Sequence, residues 1–228
     1  MTVIGSGMLA KAFLAANLDN DNLLFFCSGV SNSGTSSAGE FERERALLLD
    51  TLARYSESKI IYFSSCAAGA IESPYYRHKK AMEVLVESNA QRYLIVRLPQ
   101  VVGVTNNTTL VSFIAGNIRN RTPITVFKGA RRNLIDIDDV VRLTLYLVNL
   151  DNMLINVTNA NMLPVEEIVR IISGILSAEP VILAGPAAGE ELGYDGDALK
   201  ELIGAADPIY SSDYNQAVLA KYIPLLCK

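Results

Sequence analysis

Thr2-Val3-Ile4-Gly5-Ser6-Gly7-Met8-Leu9-Ala10 opens the chain with a short apolar strand, a glycine turn and the start of a helical run reaching Leu14. The turn has the pattern G-x-G-x-x-A between a strand and a helix. Gly5 permits a tight turn, Gly7 lets the backbone approach a pyrophosphate, and small Ala10 allows close helix packing. The following helix then points its N-terminus at the phosphates. Taken alone, the pattern also fits an ordinary strand-to-helix turn.

The chain beyond the turn alternates in a way that extends this reading. Leu23 to Cys27 is apolar, Ser31 to Gly39 is small and polar, and Glu40 to Tyr55 carries Leu47, Leu48, Leu52 and Tyr55 at helical spacing. A strand at 59–65, a helix around Tyr75 and a strand at Tyr93–Leu98 continue the alternation. Buried strands separated by helices predict a parallel sheet with helices on both faces. After Pro99 the elements are shorter: helix 110–118, strands 123–127 and 133–137, and a helix capped by Asp138 through Leu147. A strand at 153–157, a helix at 165–176 opened by Pro164, a short strand at 181–183 and a last helix at 213–222 follow. The predicted organisation is a Rossmann-like core over 1–103 with parts of 133–160, and a small α+β substrate lobe over 104–132 and 161–228.

Composition narrows the function classes. Of 228 residues, 50% are apolar and the formal net charge is −4, so no basic face argues for nucleic acid. No apolar run reaches the ~18 residues of a membrane span. Residues 1–13 lack a basic region followed by an apolar stretch, so no signal peptide is expected. Cys27, Cys66 and Cys227 are odd in number and have no metal-ligand spacing. Reduced thiols in a cytoplasmic protein, without a metal, are the plain expectation.

The chemistry is concentrated in Ser73-Pro74-Tyr75-Tyr76-Arg77-His78-Lys79-Lys80. Tyr75 and Lys79 lie one turn apart on a helix face. A nearby ammonium favours the phenolate, so Lys79 is expected to lower the tyrosine pKa from about 10 and give an acid/base usable near neutral pH. Tyr76 and Lys80 have the same spacing. The apolar strand Ile60 to Ser65 ends in two hydroxyls, well placed to present one beside the tyrosine. His78 reads as a surface or loop contact.

Together these segments resemble the extended short-chain dehydrogenase/reductase family, in its NAD-dependent epimerase/dehydratase branch acting on nucleotide sugars. Tyr75-x-x-x-Lys79 with Glu83 is similar to the family's catalytic helix, and only Lys79 has Glu83 at the family spacing. Phe63-Ser64-Ser65-Cys66 resembles its serine-bearing strand end, and Arg97 to Gly103 the segment beside the nicotinamide. Asn133 to Val140 resembles the strand leading to a substrate-lobe helix, and Asp197 to Gly204 the short helix near the C-terminus. The resemblance implies a doubly wound parallel sheet and hydride transfer between a sugar carbon and NAD or NADP. It makes Tyr75 the acid/base, Lys79 its pKa-lowering partner and ribose ligand, and Ser65 the partner of the reacting oxygen. Cofactor contacts fall to Gly5, Ser6, Gly7, Met8, Leu9, Ser28, Gly29, Leu98 and Pro99. Arg131 and Arg132 are placed to hold the diphosphate of a nucleotide-sugar substrate. The resemblance allows a homodimer.

The chain departs from the family where the cofactor is gripped. Only Ala15 to Asn22 separates the glycine helix from the next strand, so at least one strand-helix unit is missing. That unit supplies the acidic residue ~20 positions on that holds the adenosine ribose; Asp19 and Asp21 are too near the glycines. The loop from Ser65 to Tyr75 is also short. A second reading follows: a catalytically reduced member that binds nucleotide or regulates a partner.

Overall fold

The computed structural model describes residues 1–159, 161–188 and 194–226. The elements are β1 (Thr2–Ile4), α1 (Met8–Ala15), β2 (Leu23–Phe26), α2 (Ala38–Arg54), β3 (Lys59–Ser65), α3 (Pro74–Asn89) and β4 (Tyr93–Leu98). Then come β5 (Gln100–Val102), α4 (Leu110–Asn120), β6 (Ile124–Lys128), β7 (Arg131–Arg132), β8 (Leu134–Asp136) and α5 (Ile137–Leu147). The chain ends with β9 (Met153–Asn156), β10 (Leu163–Pro164), α6 (Val165–Leu176), β11 (Ile182–Ala187), α7 (Asp197–Ile203) and α8 (Tyr214–Leu226). Cys227 lies outside the described residues.

One compact unit comprises Met1–Leu98 and Asp138–Val157. Its sheet has five parallel strands in the order β1-β2-β3-β4-β9. The central strands are buried on both faces, which is why Leu23–Phe26 and Ile60–Phe63 read as unbroken apolar runs. The two-residue period of a strand separates the faces. Leu24, Phe26, Ile60, Tyr62 and Ile95 pack with Leu48 and Leu52 of α2 and Met82 and Val86 of α3. On the other face, Phe13 of α1 stacks on Phe25 at 4.6 Å and tilts against Phe63 at 5.2 Å. Helices therefore cover both faces, as the alternation predicts.

The missing segment is visible in the strand order. In the six-stranded 3-2-1-4-5-6 arrangement, the strand leading into the glycine turn is internal. Here β1 stands at the edge, bonded to β2 alone among the described strands.

Local signals set the helix that carries Tyr75 and Lys79. Ser73 caps α3 by accepting a hydrogen bond from the Tyr76 amide at 3.3 Å, and Pro74 occupies the first turn. Asp138 lies within the first turn of α5 with Asp139, where acidic side chains complement the helix dipole.

The second unit comprises Pro99–Ile137 and Thr158–Lys228. Among the described residues it holds three small strand pairs: β5 with β8, β6 with β11, and β7 with β10. Ile114 and Ile118 of α4, Ile168 and Ile172 of α6 and Leu219 of α8 are buried. Asp136 fastens α8 to β8, accepting from Lys221 Nζ and Tyr222 Oη at 2.6 Å each. No helix among the described residues is long and apolar enough to cross a membrane.

Candidate active site around Tyr75 and Lys79

Capped at Ser73, α3 turns Tyr75 and Lys79 inward, and both are buried. Tyr76 and Lys80, the alternative register, are half-buried. The Lys79 ammonium stands 6.0 Å from the Tyr75 ring centroid, but its hydrogen bonds go elsewhere. Nζ donates to Glu44 Oε1 at 3.0 Å and to the Tyr62 hydroxyl at 3.3 Å.

Glu44 is the hub of this cluster, and sequence reasoning missed it. Its carboxylate is fully buried and accepts from Val30 N (2.7 Å), Tyr62 Oη (2.7 Å), His78 Nε2 (3.0 Å) and Lys79 Nζ (3.0 Å). A carboxylate only accepts, so the proton shared with His78 sits on Nε2. Burial alone would raise the Glu44 pKa. The His78 hydrogen bond, the Lys79 charge and the Val30 and Tyr62 donors outweigh it and bring the carboxyl down to about 2. A signal was present: Glu44, Leu48, Thr51 and Leu52 share one buried stripe of α2.

Two expectations are corrected by this geometry. His78 is a buried residue, stacked on Phe41 at 4.6 Å and bonded to Glu44, and not a surface or loop contact. Nor is the Tyr75 phenol lowered overall. Burial first, then the Glu44 charge and Tyr76, push the Tyr75 phenol above its ordinary value of 10.0. The physical reason is that Glu44 matches the Lys79 charge at 3.0 Å, so Tyr75 faces an ion pair and not a lone cation.

A second buried carboxylate pins α3 to the sheet. Glu83 receives Arg97 Nε at 2.7 Å and Nη2 at 2.6 Å, the Ser64 hydroxyl at 2.7 Å and Lys80 Nζ at 3.1 Å. Ser64 is thus committed to structure. Ser65, the last residue of β3, is half-buried and accepts from the Ala67 amide at 3.3 Å. Among the described residues, no hydrogen bond joins Ser65 to Tyr75.

At the glycine turn, Gly5 has φ +130° and a Cβ there would stand 2.8 Å from the Cys27 carbonyl carbon and oxygen. Only glycine fits. Gly7 is different: nothing lies within 4 Å of its notional Cβ, so the protein itself makes no demand for glycine there. Ser6 is exposed, Met8 and Leu9 are half-buried at the start of α1, and this helix has neither a side-chain cap nor an acidic residue in its first turn. Open space before Gly7 and uncapped amides fit a dinucleotide pyrophosphate. Ser28 and Gly29 follow β2; Arg43 donates to the Ser28 hydroxyl at 3.4 Å and carbonyl at 3.2 Å. A Cβ on Gly29 would meet Lys79 Nζ at 2.6 Å. Leu98 ends β4, buried, and Pro99 follows it.

The adenosine side offers less. Asp19 is exposed, and Asp21 pairs with the Met1 amino terminus at 3.4 Å. In the second unit, Arg131 and Arg132 form β7; Arg131 Nη2 donates to the Met162 carbonyl at 2.6 Å and Arg132 Nη1 to the Arg131 carbonyl at 2.7 Å.

Comparison with solved structures finds this fold elsewhere. The chain superposes on RMD from Pseudomonas aeruginosa complexed with NADPH at a TM-score of 0.77 and 15% identity, covering 96% of this chain and 97% of that one. It matches the UDP-glucose 4-epimerase of Thermus thermophilus in complex with NAD at a TM-score of 0.73 and 15% identity, covering 96% and 82%. The Thermotoga maritima UDP-glucose 4-epimerase with UDP-glucose gives 0.70 and 17%, covering 97% and 83%. Such low identities establish the fold. No curated protein matches the sequence. The family model described as NAD dependent epimerase/dehydratase family matches residues 9–157. That span is well over half of the 228 residues, and it contains α1 from Leu9 onward, the Glu44 cluster and the Tyr75–Lys79 helix. The chain therefore belongs to the NAD-dependent epimerase/dehydratase family.

Proposed function

We propose that this protein is an NAD(P)-dependent oxidoreductase or epimerase acting on a nucleotide-activated sugar, with Tyr75 as its acid/base. One observation carries the reading: the capped helix α3 presents Tyr75 and Lys79 together on its buried face, within the segment matched by the family model. Structural neighbours described with NAD, NADPH and UDP-glucose motivate the cofactor and substrate class.

The chain's own groups then have distinct tasks. The Gly5–Leu9 turn holds the pyrophosphate through backbone amides. Ser28, Gly29, Leu98 and Pro99 border the cofactor, and Lys79 reaches its ribose. A bound nicotinamide supplies or accepts the hydride. Tyr75 gives a proton to the sugar oxygen during reduction or removes one during oxidation, and Ser65 holds that oxygen by a hydrogen bond. Arg131 and Arg132 pair with the substrate diphosphate. Cys66 and Ala67 follow Ser65 where a dehydratase needs an acidic pair, which favours reduction or epimerisation over dehydration.

The test is to denature purified protein, identify any released dinucleotide by mass spectrometry, and measure affinity for NADH and NADPH. Binding of one of them, with turnover abolished and binding preserved in Tyr75→Phe, is the expected result. Failure to bind either at millimolar concentration overturns the reading. A catalytically reduced, nucleotide-binding or regulatory member is the second reading, favoured by the edge position of β1 and by the Glu44–Lys79 pair. Dinucleotide binding without turnover of any nucleotide sugar would select it.

A further inference from the structure

Lys79 cannot be considered apart from the carboxylate that holds it. Glu44 draws donors from three places in the first unit: Val30 after β2, Tyr62 on β3, and His78 and Lys79 on α3. Tyr62 both donates to Glu44 and accepts from Lys79, so the phenol, ammonium and carboxylate close a triangle. Gly29 leaves the room for this contact, since a Cβ there would stand 2.6 Å from Nζ and 3.1 Å from Glu44 Oε1. A carboxylate buried with four donors is fixed in place and keeps its charge.

We propose that Glu44 is a positioning residue that anchors Lys79 and cancels its charge, so that the proton affinity of Tyr75 is set by the Glu44–Lys79 pair as a unit. The catalytic meaning rests on the reading of Tyr75 as acid/base; the physical claim does not. Among the described residues, the charged and titratable groups facing Tyr75 are Tyr76 and Lys79 on its own helix, Glu44 on α2 and Tyr62 on β3, with His78 reaching the same carboxylate. Lys79 and Glu44 are the oppositely charged pair among them. Removing the carboxylate charge leaves a lone cation beside the phenol, and the phenolate gains.

Tyrosine labelled with carbon-13 at Cζ reports ionisation by NMR, and Tyr75→Phe assigns the Tyr75 signal. In the wild type, Tyr75 is expected to stay protonated past the ordinary value of 10.0. In Glu44→Gln its midpoint should fall by about one pH unit or more. Glu44→Asp, which keeps the charge, and the double variant Glu44→Gln/Lys79→Met, which removes both charges, should return it to the wild-type range. Should Glu44→Gln fail to fold, Glu44→Met carries the same expectation. A wild-type midpoint below 10, or the same midpoint with and without the carboxylate, overturns the proposal. Absence of turnover in every variant counts against the proposed activity alone, because the NMR titration reads Tyr75 directly. If turnover is present, the Tyr75 limb of the rate–pH profile should move with the midpoint.

Discussion

Glu83→Gln tests how the helix carrying Tyr75 and Lys79 is held. The carboxylate is fully buried and takes two bonds from Arg97, at 2.7 and 2.6 Å, plus one each from Ser64 and Lys80. Burial alone would raise the Glu83 pKa, but the Arg97 and Ser64 bonds hold it below the ordinary carboxylate value. Glutamine keeps the shape and removes the charge, leaving one amide donor facing donors. Breaking a buried ion pair by removing one partner costs about 3–5 kcal/mol. The Arg97 side chain keeps 17% exposure and Lys80 45%, so both regain some hydration and the lower end, about 3 kcal/mol, is expected. With a slope of about 3 kcal/mol per molar urea, the midpoint followed by circular dichroism should fall by about 1 M. The sign with pH follows from the depressed pKa: this stabilisation is present above the unfolded carboxylate value and lost as pH falls through the folded one. Arg97→Met alone should also destabilise, while the double variant should cost less than the two singles combined by about 2 kcal/mol. A Glu83→Gln loss under about 1 kcal/mol, or strict additivity in the cycle, refutes the reasoning.

Gly5→Ala forces a Cβ to 2.8 Å from the Cys27 carbonyl at φ +130°, so it should cost about 3 kcal/mol or more in urea unfolding. Gly7→Ala meets open space, so its stability should stay within about 0.5 kcal/mol while dinucleotide affinity drops about tenfold or more. Equal stability losses in the two would remove the argument that Gly7 serves a ligand. A Glu44 carboxyl lowered from 4.5 to about 2 contributes about 3 kcal/mol at neutral pH. Because the folded value is the depressed one, that contribution is complete above about pH 5 and disappears as pH falls towards 2. Urea midpoints between pH 7 and 3 should therefore fall faster for the wild type than for Glu44→Gln; parallel lines would contradict the shift.

The framework was legible because its signals are local. Apolar runs such as Leu23–Phe26 mark strands buried on both faces, and Ser73-Pro74 announces the start of α3 through cap and first-turn chemistry. The short link at 15–22 likewise foretold the missing strand-helix unit. The Glu44 cluster was not legible in this way. Residues 40–45 read Glu-Phe-Glu-Arg-Glu-Arg, a solvated face by composition, and only packing against β3 and α3 decides that Glu44 turns inward. The same tertiary fact reverses the local expectation for Tyr75. Spacing places Lys79 one turn from the phenol, but it cannot show that a carboxylate 35 positions away claims the ammonium. His78 was misread for the same reason, since its partners Phe41 and Glu44 come from α2.

The face of the sheet that α1 covers sets it apart from α2 and α3. The connections β1 to β2, β2 to β3 and β3 to β4 all step to the next strand in one direction, and all the pairs are parallel. Yet α2 and α3 pack on the face of Phe26 and Tyr62, while α1 packs on the face of Phe25 and Phe63. Connections that step the same way through helices on opposite faces have opposite hands. Such crossovers are right-handed in about 98% of cases, and the connection through α1 departs from the hand that those through α2 and α3 share. In the order 3-2-1-4-5-6, however, the helix after the glycine turn leads outward to strands beyond β1, and a right-handed step in that direction puts it on the face occupied here. Here α1 lies on that face with Phe13 and Ala10 fully buried, and the chain doubles back to β2 through a short link. Asn17, at φ 45°, reverses direction just past the helix; asparagine tolerates that left-handed conformation better than most residues. The glycine turn packs against Cys27 and Ser28, and among the described residues no strand lies outside β1. Under the proposed function, the groups left to hold a dinucleotide are the glycine turn and Lys79, and Glu44 acts on the second through its 3.0 Å bond.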